Sequence, residues 1–124
     1  MKSKTGFVLL AAIVLLFGCA TPDDMRKRPS SLERTSSRSA NRVAICIAGR
    51  WAHTTEWGPL AGYPINTSPI EGGYSVSAIA HNLFEPPTGA LADIKDTPNG
   101  SATRYFKNGI GTDESFDKAV KECQ

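Results

Sequence analysis

An uninterrupted apolar run near the N-terminus limits how much of this chain can belong to a folded domain. The run covers residues 7–17 (FVLLAAIVLLF) and follows two basic residues, Lys2 and Lys4. A helix of that length rises only about 16 Å, roughly half the thickness of a hydrocarbon core. A basic start before a short apolar run is typical of a secretory signal peptide. We therefore expect residues 1–18 to be cleaved, which leaves 106 residues in the mature chain.

The residues that end this run, Leu16-Phe17-Gly18-Cys19, resemble the lipobox of bacterial lipoproteins. The resemblance implies cleavage after Gly18 and acylation of the Cys19 thiol, so that the mature chain is anchored in a lipid bilayer. Position 20 is alanine, not the aspartate that retains such proteins in the inner membrane. The resemblance therefore implies a location in the cell envelope, at the outer membrane and facing the periplasm.

The segment after the lipobox is basic and poor in apolar residues. Met25 and Leu32 are the only large apolar residues between positions 20 and 36, where serine, proline and charged residues dominate. This composition predicts that residues 19–36 are a lipidated cysteine and a flexible basic tether. The basic side chains would lie either on anionic headgroups or in solvent, as in an ordinary linker.

Positive and negative charges balance in the mature chain. The net charge of +2 in the full sequence comes from Lys2 and Lys4, so 12 basic and 12 acidic residues remain after cleavage. No global field therefore favours nucleic acid, and we expect no nucleic-acid partner. The length that remains predicts one small domain over residues 37–124.

Two cysteines, Cys46 and Cys123, remain once Cys19 is acylated. An even pair in an oxidising compartment favours a disulfide, and two buried thiols are the alternative. A disulfide here would close a loop of about 78 residues and contribute roughly 4 kcal/mol by restricting the unfolded chain.

Hydrophobic periodicity predicts a helix at each end of the domain, over residues 38–53 and from residue 112 onward. The apolar stripes consist of Val43, Cys46, Ile47 and Trp51 in the first helix and of Phe116, Ala119, Val120 and Cys123 in the second.

Alternating patterns between the helices predict three strands, at residues 74–80, 90–95 and 101–107. Residues 54–73 are rich in glycine and proline and predict a loop, with one short strand conceivable at 63–66. We therefore expect an α+β domain in the order α-β-β-β-α. Its three-stranded antiparallel meander would carry the N- and C-terminal helices on one face, linked by the disulfide.

Aromatic residues of the segment after the first helix are candidates for a binding surface. Trp51, Trp57 and Tyr63 would either form such a surface or cover the edge of the core. No catalytic motif is present, and we predict no catalytic residue, metal site or cofactor. An enzyme would need His53, His81 and Glu56 to converge in one cleft.

Several short stretches of the domain are similar to those of a group of small proteobacterial lipoproteins without an assigned activity. They are Cys46-Ile-Ala, Gly73-Tyr-Ser-Val-Ser, Leu91-Ala-Asp-Ile, Asp96-Thr and Gly100-Ser-Ala-Thr-Arg-Tyr. The last stretch also resembles the turn ending in Ala-Arg-Tyr of periplasmic lysozyme-inhibitor lipoproteins, which are all-β proteins.

These features predict a membrane-anchored periplasmic lipoprotein that is a non-enzymatic binding or envelope-structural module. Its partners would be the bilayer, through Cys19, and an envelope protein or peptidoglycan. The alternative is an inhibitor of a cell-wall hydrolase, with Arg104 and Tyr105 at the contact. A third hypothesis is a small metal-dependent enzyme.

Overall fold

The fold is described from a computed structural model, which covers residues 21–57, 64–79, 88–107 and 114–124. The strands form one antiparallel sheet in the order β1-β5-β4-β3-β2. The elements, in chain order, are α1 (Pro22–Arg26), β1 (Leu32–Ser36), α2 (Ala40–Trp57), β2 (Ile65–Ile70), β3 (Gly73–Ile79), β4 (Thr88–Thr97), β5 (Gly100–Lys107) and α3 (Glu114–Glu122).

The predicted three-stranded meander is wrong, because the sheet has five strands. The three predicted strands correspond to β3, β4 and β5, and they form the centre and one side of the sheet. Two further strands, β1 and β2, lie at its edges. Because β1 pairs with β5 although it precedes α2, the chain crosses the whole sheet between β1 and β2. The order is therefore α-β-α-β-β-β-β-α.

Neither edge strand carries the apolar alternation that marks a strand in sequence. Strand β1 reads LERTS, with one large apolar residue, and β2 reads INTSPI, with an internal proline. Pro69 is tolerated because an edge strand has one side without ladder hydrogen bonds, where a missing N–H costs nothing. Such strands form because a neighbouring strand supplies the pairing, which composition alone does not indicate.

The predicted flexible tether is wrong for Pro22–Arg26 and Leu32–Ser36, which form α1 and β1. Its two large apolar residues attach this segment to the domain. Met25 is only 1 % exposed, and Leu32 packs against the main core. A largely polar segment thus becomes ordered because its two large apolar side chains are buried against the rest of the domain.

The main core lies between the sheet and the two long helices, α2 and α3, which pack on one face as predicted. Trp51 of α2 is completely buried at its centre. Its ring lies 5.0 Å from that of Phe116 and 5.9 Å from that of Tyr105, centroid to centroid. The indole Nε1–H donates to the Phe116 carbonyl oxygen at 3.3 Å, so its polar group is satisfied inside the core.

The disulfide between Cys46 and Cys123 is confirmed, and it links α2 to the end of α3. The two Cα atoms are 5.6 Å apart across a sequence separation of 77 residues. An ion pair between Arg50 and Glu122 crosses the same helix interface. Both links hold α3, a helix too short to be stable alone, against α2.

Replacing Cys46 and Cys123 together by alanine is expected to lower the free energy of unfolding by about 4 kcal/mol, because the long loop regains its freedom in the unfolded chain. Urea unfolding followed by tryptophan fluorescence measures the difference. A reduced wild-type protein should behave like the double variant, and equal stability of the oxidised and reduced forms would contradict the prediction.

Two glycines offer a matched test of the packing. A Cβ atom on Gly73 would lie 1.9 Å from the Ile94 carbonyl oxygen, so Gly73→Ala forces the β3–β4 backbones apart and should cost about 1–3 kcal/mol. Gly49 is a helical residue with nothing within 4 Å of the same position, so Gly49→Ala should stabilise by about 0.5–1 kcal/mol. Urea midpoints that move in the same direction in both variants would refute this placement of the two residues.

Candidate functional site

The sheet face opposite α2 and α3, called here the second face, includes three rows of side chains that run across the strands. Residues of one row face each other on adjacent strands and share a side of the sheet. The first row holds Ser77, Leu91 and Phe106, the second Ser75, Asp93, Arg104 and Glu33, and the third Gly73, Lys95, Ala102 and Thr35.

Helix α1 begins with a complete capping arrangement. The Thr21 hydroxyl accepts from the Asp24 N–H at 3.2 Å and donates to the Asp24 carboxylate at 2.9 Å, and the Thr21 N–H donates to the same carboxylate. Pro22 occupies the first helical position, where no N–H is needed. These hydrogen bonds lower the pKa of Asp24, so its contribution to the cap is lost only as pH falls through that lowered value.

This cap is a sequence signal that the prediction of a flexible tether overlooked. Threonine followed by proline and two acidic residues is typical of a helix N-terminus. The helix has only five residues, however, and a helix of this length needs tertiary contacts to persist.

Arg26 supplies the polar contact that holds α1 on the second face. Its Nε donates to one Asp93 carboxylate oxygen at 2.7 Å, and a terminal nitrogen donates to the other at 3.0 Å. The same terminal nitrogen reaches the Ser75 hydroxyl at 3.2 Å, and the other reaches Asp23 at 3.0 Å. Asp93 is nearly buried, with 11 % of its side chain exposed, so the fork-shaped contact is shielded from water.

The hydrogen bonds to Asp93 raise the pKa of Arg26 above its ordinary value, while partial burial opposes that rise. A raised pKa in a basic group stabilises the folded state at every pH below the ordinary value. Because arginine is charged throughout the physiological range in any case, the contact with Asp93 stabilises the folded state over that whole range.

Met25 supplies the apolar contact. Its side chain packs with Leu91 and Phe106, the two large apolar residues of the first row, in a small cluster separate from the main core. Full burial of a methionine contributes roughly 1.5–3 kcal/mol. Helix α1 thus covers the first two rows of the second face and ends there.

The third row is left uncovered, and a groove of about 380 Å³ runs beside α1. Lys95 and Ala102 of the third row line it, together with Ile70 and Glu71 at the turn between β2 and β3. Arg26 and Arg104 also line the groove. Its volume lies within the range of small-ligand sites.

The charged groups of this groove differ in how far they are engaged. Asp93 is occupied by Arg26, and Arg104 donates from Nε to Glu33 at 3.2 Å while its guanidinium lies 5.3 Å from the centre of the Phe106 ring. Lys95 and Glu71 are exposed and form no ion pair or side-chain hydrogen bond with the described residues. Lys95 and Glu71 are therefore the cation and the anion of the groove that have no ion-pair partner among the described residues.

Of the three aromatic residues expected either to form a binding surface or to cover the edge of the core, the structure describes the side chain of Trp51 alone. Trp51 is buried in the core, so for this residue the core alternative holds. Trp57 ends α2, and its side chain lies outside the described part of the structure, as does the whole of Tyr63. Trp51 therefore does not belong to an aromatic binding surface.

Arg104 and Tyr105 cannot form one contact surface. Neighbouring residues of a strand point to opposite faces, and here Arg104 is exposed on the second face while Tyr105 is buried in the main core. Arg104 instead lines the groove, where it belongs to a different candidate site from the one predicted.

The structure describes one of the three side chains that a metal-dependent enzyme would need. His53 is exposed on α2, whereas His81 and the Glu56 side chain, like the lipidation residue Cys19, lie outside the described part. Among the residues that the structure describes, no group of three His, Cys, Asp or Glu side chains could hold a metal ion. No helix in these described ranges is long and apolar enough to span a membrane.

Comparison of the chain with models of known protein families, with curated proteins and with solved structures finds no match. The groove and the segment that borders it are therefore the features from which a function can be inferred.

The variant Arg26→Ala is expected to release α1 from the sheet, because it leaves the nearly buried Asp93 carboxylate without its partner. We expect a loss of about 2 kcal/mol in the free energy of unfolding and unprotected amide exchange in Pro22–Arg26. Hydrogen exchange measured by mass spectrometry provides the test. Arg34→Ala is the matched control, since Arg34 is exposed and, among the residues that the structure describes, donates only to the Glu33 carbonyl oxygen. Equal exchange of α1 in both variants would contradict the assignment.

Proposed function

We propose that this chain is the precursor of a lipoprotein of the bacterial cell envelope and that its domain is a non-enzymatic binding module. Residues 1–18 are removed, Cys19 is acylated, and the mature protein is held at the outer membrane facing the periplasm. The lipobox-like sequence at residues 16–19 and the disulfide, which requires an oxidising compartment, support this location.

The observation that carries the proposal is the ordered N-terminal segment. Thr21, which caps α1, follows Cys19 by two residues, a span of at most about 7 Å. An anchor on Cys19 would therefore hold the domain directly at the membrane surface, with α1 and its groove beside the bilayer. A free tether of residues 19–36 would instead leave the domain without a preferred orientation.

The engagement of the β4 carboxylates supports binding over acid–base catalysis. Asp93 is taken up by Arg26, and Asp96 accepts the Ala40 N–H at 2.9 Å at the first turn of α2. Because these residues lie three apart on a strand, their side chains point to opposite faces of the sheet. The groove then acts through its shape and its two free charges, which suits recognition of a polar component of the envelope.

The variant Cys19→Ala, expressed from the full-length gene in a Gram-negative host, is expected to lose both labelling with palmitate and sedimentation with the outer membrane. The physical reason is that acyl chains supply the stable membrane anchor. Metabolic labelling and membrane fractionation measure the two effects.

The double variant Cys46→Ala, Cys123→Ala serves as the control and should keep the label, because those cysteines form the disulfide. Absence of palmitate from the wild-type protein, or its presence in Cys19→Ala, would refute the anchor.

A further inference from the structure

We propose that the groove beside α1 binds the zwitterionic headgroup of a membrane phospholipid, with Lys95 facing its phosphate and Glu71 facing its ammonium group. The inference rests on the proposed function in one respect, namely that the anchor at Cys19 holds the groove at the bilayer. The chemistry of recognition is a property of the groove itself.

The groove exists because α1 is short. Its five residues cover the rows that contain Leu91 and Asp93 and stop before the third row. In that row Gly73 and Ala102 flank Lys95 on the neighbouring strands, and neither has a side chain that could fill the space. The floor is therefore low, and Arg26, Ile70 and Glu71 are among the residues that line the groove around it.

Two positive groups are available for a phosphate. Lys95 is exposed and engages no acidic side chain among the described residues. Arg104 uses its Nε on Glu33, and its terminal nitrogens, which suit phosphate oxygens, donate to no acceptor in the described part of the chain. Arg26 is neutralised by Asp93, so it shapes the groove without adding a free charge.

The free carboxylate of Glu71 distinguishes a zwitterion from a simple anion. It lines the same groove as Lys95, yet the two side chains form no ion pair with each other. A purely anionic ligand would gain from Lys95 but would be repelled by Glu71. A headgroup with phosphate and ammonium satisfies both charges, and phosphatidylethanolamine is a ligand of this class.

The position of the groove favours a headgroup over other zwitterions. It borders α1, whose first residue follows Cys19 by three positions, so an acylated Cys19 would bring headgroups within reach of the groove. The bound phospholipid would thus belong to the same membrane as the anchor. Its acyl chains would stay in the bilayer while only the polar group enters the groove.

The test uses the mature protein in an uncharged, phosphate-free detergent, titrated at low salt with glycerophosphoethanolamine and followed by amide chemical shifts in β4 and β5. We expect saturable shifts around Lys95 and Ala102 with a dissociation constant on the order of millimolar. Glycerophosphoglycerol, a phosphodiester of the same phosphate charge that lacks the ammonium group, should bind more weakly. No saturable shift with glycerophosphoethanolamine would overturn the proposal.

Variants of the two charged residues separate their contributions. Lys95→Gln should weaken binding of glycerophosphoethanolamine about tenfold, and Lys95→Arg should restore it. Glu71→Gln should abolish the preference for glycerophosphoethanolamine over glycerophosphoglycerol, a change that a general loss of folding would not produce. Unchanged affinity in Lys95→Gln, or an unchanged preference in Glu71→Gln, would contradict the assignment.

Matched controls lie on the opposite side of the sheet. Lys121→Gln and Glu114→Gln remove the same charges from exposed positions of α3 and should leave the titration unaltered. The dipeptide glycylglycine carries an ammonium and a carboxylate in place of the phosphate. Tighter binding of this peptide than of glycerophosphoethanolamine would overturn the headgroup assignment in favour of a peptide ligand.

The titration does not depend on acylation, so its result is distinguishable from that of the Cys19 experiment. Headgroup binding with no palmitate on Cys19 would refute the anchor and leave the groove assignment standing. Palmitate on Cys19 with no headgroup binding would leave the anchor and refute this inference.

Discussion

The fork-shaped ion pair between Arg26 and Asp93 ties the N-terminal segment to the second face of the sheet, and the arrangement of that face depends on it. The sheet has apolar residues on both sides, because Leu91 and Phe106 point away from α2 and α3. Left bare, they would form an exposed apolar patch. Met25 covers them, and the ion pair fixes the helix that carries Met25. A segment that composition classifies as a linker thereby becomes a structural layer of the domain.

The two sides of the sheet are stabilised by different interactions. On the face that packs against α2 and α3, the large ring of Trp51 packs with Phe116 and Tyr105, and the disulfide holds the two helices together. On the second face a single short helix relies on one buried apolar side chain and one shielded ion pair. Loss of the first set would unfold the protein, whereas loss of the second would free α1 and leave the main core in place. This difference follows from the unequal amounts of apolar surface that the two faces bury.

The groove is present because α1 covers only part of the second face. Because α1 covers the rows that contain Leu91 and Asp93 and stops there, the next row, with Gly73, Lys95 and Ala102, stays open beside it. Lys95 and Glu71, which form no ion pair with the described residues, carry opposite charges there. A groove of this kind recognises a small polar group by paired charges and works best where that group is abundant nearby. Because few residues separate Cys19 from α1, the proposed membrane anchor would place the groove beside the headgroups of the bilayer.

The elements that depend on local pattern were predictable from the sequence. Helical spacing of apolar residues determined α2 and α3, alternation determined β3, β4 and β5, and the even pair Cys46 and Cys123 determined the disulfide. The capping residues that start α1 could also be recognised at Thr21. Only the tertiary structure decided that α1 docks, that β1 and β2 extend the sheet, and that Lys95 and Glu71 line one groove. The physical reason is that these contacts join residues far apart in the sequence. Arg26 and Asp93 are 67 residues apart, and polar edge strands are stabilised by neighbouring strands that a local sequence pattern does not identify.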